Sequence, residues 1–252
     1  MSKPRKRQNF LEGTALLALA TAIVKILGAL YKLPMKVIIG DQGFGYFHTA
    51  YEIYNVLLMI STAGLPVAMS RMISQAGSLG HYNQVRRIYA AARGIFLGLG
   101  IGGSLLMTLF CRQLADFQHQ PDAWAAIGTL GPCVLLICVM SAFRGYFQGL
   151  ENMLPTSVSQ VLEAIVKLIV GIGAAAAVMK ATGSVPLAAG GAILGVTVSC
   201  LVSSLYLFAE FRGSYRFLPR SEESADSFAA TAKGLLTIAV PITLGSAGLQ
   251  IL

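Results

Sequence analysis

The sequence predicts an all-α, polytopic membrane helix bundle. Three observations carry that prediction: a hydrophobic share of 55%, a charged share of only 12%, and long apolar runs recurring along the whole chain. A soluble domain carries about 25% charged residues. The runs are continuous rather than alternating with a period of two, which excludes a transmembrane β-barrel.

Six complete spans are expected, over about residues 10–37, 45–74, 88–114, 123–147, 156–179 and 186–211. A seventh opens at about residue 233 and is still apolar at Leu252, so the chain is expected to be part of a longer protein. The N-terminus resembles a secretory signal, with a basic start and Ala-x-Ala at Ala20–Ala22. Apolarity continues past that point to Ile39, which favours an uncleaved first helix. The polar stretch RGSYRFLPRSEESADS (212–227) reads as a solvated linker. The expected organisation is therefore a six-span lobe over 1–211, a cytoplasmic linker over 212–232, and the start of a seventh span over 233–252.

The formal net charge is +8, but the basic residues fall mainly between apolar runs. Lys3, Arg5, Lys6, Arg7, Arg86, Arg87, Arg144, Arg212, Arg216 and Arg220 fall on one side if the N-terminus is cytoplasmic. The opposite segments contain Asp41, Asp116 and Asp122, so the positive-inside rule predicts a cytoplasmic N-terminus. No basic stripe with interleaved aromatics exists, which sets nucleic acid aside as a partner. Cys111, Cys133, Cys138 and Cys200 lie in or beside apolar runs, and His48, His81 and His119 follow no ligand spacing. Neither a metal site, a disulfide framework nor a cofactor is expected.

Span one is interrupted by Lys25, Lys32 and Lys36. A lysine near a helix centre costs about 2.5–3.5 kcal/mol on insertion scales. Lys36 lies near the external end and reads as a snorkelling anchor, whereas Lys32 fits an anchor or a ligand equally. Lys25 is deep in its run, where a polar cavity explains it better. In span two, Glu52 is a candidate either to pair with a lysine of span one or to handle a coupling ion. Arg71 reads as a flanking charge, and Gly64 and Pro66 mark a hinge or cavity wall. Gln160, Glu163 and Lys167 share one helical face of span five, as a self-neutralising Glu–Lys pair or as a cavity stripe.

Small residues in GLGIGGS (98–104) and GIGAAAA (171–177) favour close helix packing. The GxGxxG-like pattern in the first lies inside an apolar span with no preceding strand, so it is no dinucleotide site. HExxH, P-loop and GxSxG motifs are all absent, and a non-enzymatic protein is expected.

Two blocks, KILGALYKLPMKVIIGDQGFGYFHTAYEIYNVLLMISTAGLPVAMSRMIS (25–74) and FRGYFQGLENMLPTSVSQVLEAIVK (143–167), match one family in order and spacing. They resemble the stage V sporulation protein B group, in the oligosaccharide-flippase branch of the MATE/MOP superfamily alongside MurJ-like lipid II flippases. The resemblance implies two six-helix lobes facing each other in a V, this chain supplying the N-terminal lobe. It implies movement of a lipid-linked sugar across the cytoplasmic membrane by alternating access. The partners it implies are a polyprenyl diphosphate-linked substrate, membrane lipids, and a missing C-terminal lobe or a second copy of the chain.

Lys25 and Lys32 occupy the KILGxxYK positions of the family pattern, and the resemblance gives them, with Arg71 and Arg144, the lipid pyrophosphate. It leaves Gln160, Glu163 and Lys167 lining the cavity, with Glu52 and Glu163 as possible coupling groups. Glu52 stands where the family has proline in Y-P-I-Y, and its role departs from the pattern. A diphosphate needs cations in a low-dielectric cavity, which agrees with this assignment. A MATE-type cation or drug antiporter is the alternative, disfavoured by lysines where such proteins carry an acidic residue.

Overall fold

The computed structural model describes residues 10–62, 64–219 and 223–251, with side chains omitted at 10, 11, 60–62 and 246–251. The basic residues Lys3, Arg5, Lys6, Arg7 and Arg220 lie outside the described residues. Every regular element described is helical. In chain order these are α1 (Phe10–Thr62), α2 (Leu65–Ser78), α3 (Tyr82–Leu109) and α4 (Cys111–Phe117). A 3₁₀ turn at Pro121–Ala123 follows, then α5 (Trp124–Gly149), α6 (Leu154–Thr182), α7 (Val185–Arg216) and α8 (Phe228–Ile251).

Among the described residues six helices are long and apolar enough to cross a membrane, and the chain is a multi-pass membrane protein. The first apolar segment, Glu12–Met59, has 48 residues, or about 72 Å of helix, roughly twice a bilayer core. It turns back on itself. Residues 31 and 47 would stand about 24 Å apart along a straight helix, yet the rings of Tyr31 and Phe47 have centroids 6.1 Å apart. The reversal falls at Gly40, with φ 69° and ψ −178°, a backbone conformation open to glycine. The expected loop between spans one and two is thus a single non-helical residue, and α1 forms two arms.

The reversal is fastened from the side. Gln42 Nε2 donates to Tyr46 Oη at 2.8 Å, and Tyr46 Oη donates to Asp122 Oδ2 of the 3₁₀ turn at 3.0 Å. Lys36 pairs with Asp41 at 2.8 Å, both exposed.

Span two, expected to be continuous over 45–74, is broken into the second arm of α1 and α2. Pro66 sits in the first turn of α2, where its missing N–H removes no helical bond. Gly64 is buried at the break, and a side chain there would collide with the Ala239 carbonyl of α8. The connection after span six is also shorter than expected, since α7 runs to Arg216 and α8 starts at Phe228. Ser227 sets that start: its Oγ accepts from the Ala230 N–H at 3.2 Å, an N-cap bond.

Of the long helices, α5 and α7 are the most buried, with α6 and α3 packed outside them. The α6–α7 crossing is the most extensive, and the small-residue run 171–177 explains it. A Cβ on Gly195 would run into the Gly171 backbone, so the two helices meet main chain to main chain. Gly183, at φ 63°, ends α6 with its N–H bonded to Met179 O at 2.9 Å. At one end of the bundle Tyr89, Phe143, Tyr146, Phe211 and Tyr215 stack across α3, α5 and α7.

Candidate functional site

A cavity of about 300 Å³ opens between the first arm of α1, α5 and α6. Thr21, Val24, Leu27, Gly28 and Tyr31 line it from α1, Arg144 from α5, and Gln160, Glu163, Ala164 and Lys167 from α6. The α6 contribution follows from spacing: positions 160, 163, 164 and 167 recur every three or four residues and share a face.

Arg144 is the anchor on α5. Its Nη2 donates to Glu163 Oε2 at 2.9 Å, and its Nε donates to Ser159 Oγ at 3.1 Å. Ser159 Oγ donates onward to the Thr156 carbonyl at 2.7 Å, which fixes the hydroxyl as an acceptor for the guanidinium. The sequence offered a Glu163–Lys167 pair along α6. Glu163 pairs instead with Arg144 across the α5–α6 interface.

Lys167 is held by aromatic groups. Its Nζ donates to Tyr51 Oη at 2.9 Å and sits 5.2 and 5.1 Å from the ring centroids of Tyr31 and Tyr51. Both distances are in the cation–π range. Tyr31 Oη donates to the Ala192 carbonyl of α7 at 3.1 Å, so that ring is fixed from behind. The two tyrosines come from opposite arms of α1 and meet only because the helix reverses at Gly40. Lys167 makes no ion pair among the described residues, while the Arg144 charge is matched by Glu163. The cavity lining carries a net single positive charge.

The remaining expected site residues lie elsewhere. Lys25 and Lys32 are exposed on the flank of the cavity-facing stripe, roughly 40° and 20° around the helix from Thr21. Glu52 is exposed and bonded to His48 at 3.1 Å, so the pairing with a lysine of α1 does not form. The reason is local, since His48 stands one helical turn away on the same arm. Arg71 is exposed on α2 and is not part of the cavity lining. Gly64 and Pro66 flank the α1–α2 break.

Tyr31, Tyr51, Thr21 and Gly28 were not singled out by sequence. Tyr31 and Tyr51 lie nine and eleven residues from Gly40, so a located reversal point would have brought them opposite each other. Among the described residues no group of His, Cys, Asp and Glu is arranged to hold a metal.

A reversing first helix, an α5–α7 core and a polar cavity against α6 make a membrane helix bundle, and its fold is shared with solved transporters of the MOP superfamily. A MOP superfamily transporter from Pyrococcus furiosus superimposes with a TM-score of 0.75 at 16% identity, over 99% of this chain and 57% of that one. An outward-facing multidrug resistance MATE family transporter gives 0.74 at 16% identity, over 97% and 55%. The chain belongs to the polysaccharide biosynthesis protein family, which matches it over residues 10–252. The lipid II flippase MurJ of Bacillus subtilis (strain 168) is 31% identical over 181 residues, 68% of this chain and 33% of MurJ. Stage V sporulation protein B of the same organism is 28% identical over 240 residues, 94% of this chain and 46% of that protein. The chain therefore spans a third to just under half of these relatives.

Proposed function

We propose that this chain is the N-terminal lobe of a flippase that moves a lipid-linked oligosaccharide or peptidoglycan precursor across the cytoplasmic membrane. Transport is by alternating access, without enzymatic chemistry and without a cofactor. The N-terminus is cytoplasmic, and a second lobe or a second copy of the chain completes the cavity. The observation that carries the reading is the cavity's uncompensated cation, Lys167, fixed between Tyr31 and Tyr51 in a chain of the polysaccharide biosynthesis family.

An anionic lipid headgroup in a low-dielectric cavity needs charged donors to replace its water. Lys167 and Arg144 supply them inside the cavity, with Lys25 and Lys32 along its rim and Arg71 further out. Gln160 lines the floor and Glu163 is the internal counter-ion that also couples an ion to transport. Glu52 is the second candidate for coupling. Gly64 and Pro66, at the one break within span two, permit bending there. A cation or drug antiporter remains the alternative, and the likeness to MATE structures at 16% identity reaches only the fold.

The test is flipping of a fluorescent polyprenyl diphosphate sugar in proteoliposomes. The combined variant Lys25→Ala/Lys32→Ala is expected to slow flipping about tenfold or more, from the loss of charge-assisted contacts. An unchanged rate would remove the rim lysines from the mechanism. Uptake of organic cations, lost in Glu52→Gln, would favour the antiporter.

A further inference from the structure

The polar stretch after α7 reads in sequence as a solvated cytoplasmic linker. Its described residues are instead pinned to His81 and to the first turns of α3. Arg86 Nη2 donates to the Leu218 carbonyl at 2.7 Å, and its guanidinium lies over the Tyr215 ring at 4.9 Å. His81 Nε2 meets Glu223 Oε2 at 2.8 Å, and Asn83 Nδ2 donates to the Glu223 carbonyl at 3.0 Å. Gln84 and Asp226 bind reciprocally: Gln84 Nε2 donates to Asp226 Oδ2 at 2.8 Å, and the Asp226 N–H donates to Gln84 Oε1 at 2.9 Å.

That last pair copies the two-bond pairing of a backbone ladder and fixes the chain one residue before the Ser227 cap of α8. The helix then lies along α2 and α3 through glycines. A Cβ on Gly94 of α3 would touch the Phe228 ring, one on Gly234 the Met72 side chain, and one on Gly64 the Ala239 carbonyl. These contacts are spread over the first half of α8, so it is held at its first turn and again near its middle.

We propose that His81 and the first turns of α3, holding Leu218, Glu223 and Asp226, form a clasp that makes α8 part of the first six-span body. The boundary between the moving bodies of the full-length transporter then falls within or beyond α8, where Pro241 interrupts the helical bonding, and not in the polar connection. Releasing the clasp frees the first turn of α8 and shifts the boundary back to the connection. The inference uses none of the cavity residues and stands whether or not the substrate is a lipid-linked sugar.

Amide hydrogen exchange of the protein in lipid nanodiscs tests it. The Asp226 amide is expected to exchange at least about tenfold more slowly than in an unstructured chain, and Gln84→Ala should abolish that protection. Gln84 is at the exposed start of α3, so the α5 and α7 core amides should keep their protection and report an intact fold. Free-chain exchange at Asp226 in the unmodified protein, or protection unchanged by Gln84→Ala, would overturn the clasp. A second, independent reading is the pair Gln84→Cys/Asp226→Cys, with background cysteines replaced by serine or alanine. Rapid disulfide formation between these positions supports the clasp, and failure to cross-link under mild oxidant overturns it.

Discussion

At Glu163 the carboxylate accepts from Arg144 at 2.9 Å while Lys167, one turn along α6, turns away to Tyr51. The side chains of Arg144 and Glu163 are 20% and 26% exposed, so their charges interact in a medium far less polar than water. Under the proposed function Glu163 is a counter-ion that an incoming diphosphate must displace from Arg144. Glu163→Gln leaves Arg144 and Lys167 both uncompensated. Its affinity for a polyprenyl diphosphate is expected to rise about tenfold, with slower release and lower turnover in flipping. Unchanged affinity by calorimetry would show that Glu163 does not compete with the ligand.

Among the elements, the α6–α7 crossing and the reversal in α1 rest on glycine for different reasons. Gly195 has no room for a side chain against Gly171, whereas Gly173 of the same helix pair faces open space. Gly195→Leu should therefore lower stability by roughly 1–3 kcal/mol or more through overpacking, with Gly173→Leu near neutral. Thermal unfolding in detergent compares the two, and equal melting temperatures would contradict the crossing. The crossing was legible in sequence, because GIGAAAA is a small-residue run inside an apolar span. The reversal was not. GDQGFG (40–45) looks like a loop of several residues, yet Gly40 alone leaves helical geometry and both flanks stay helical. With the turning point unknown, the Tyr31–Lys167–Tyr51 arrangement could not be read from spacing along the chain. The stripe 160, 163, 167 could, because a single helix fixes it. Lys25 looked the deepest cation in sequence terms, and its place on the cavity flank depends on helix rotation, which neighbouring helices set.

Across the whole molecule, α1, α5 and α6 enclose a cavity whose lining carries a net positive charge, in a chain of the polysaccharide biosynthesis protein family. Among the described residues, Arg86 at the start of α3 and the connection after α7 meet at one end of the bundle. The central claim is that this cavity holds a lipid diphosphate through Lys167. Equilibrium binding of a polyprenyl diphosphate and of the matching polyprenol to the protein in nanodiscs tests it most directly, with Lys167→Met as the variant. The account predicts that the diphosphate binds the unmodified protein about tenfold or more tightly than the alcohol, and that Lys167→Met removes most of this difference. Equal binding of the two lipids, or a diphosphate preference untouched by Lys167→Met, would contradict it.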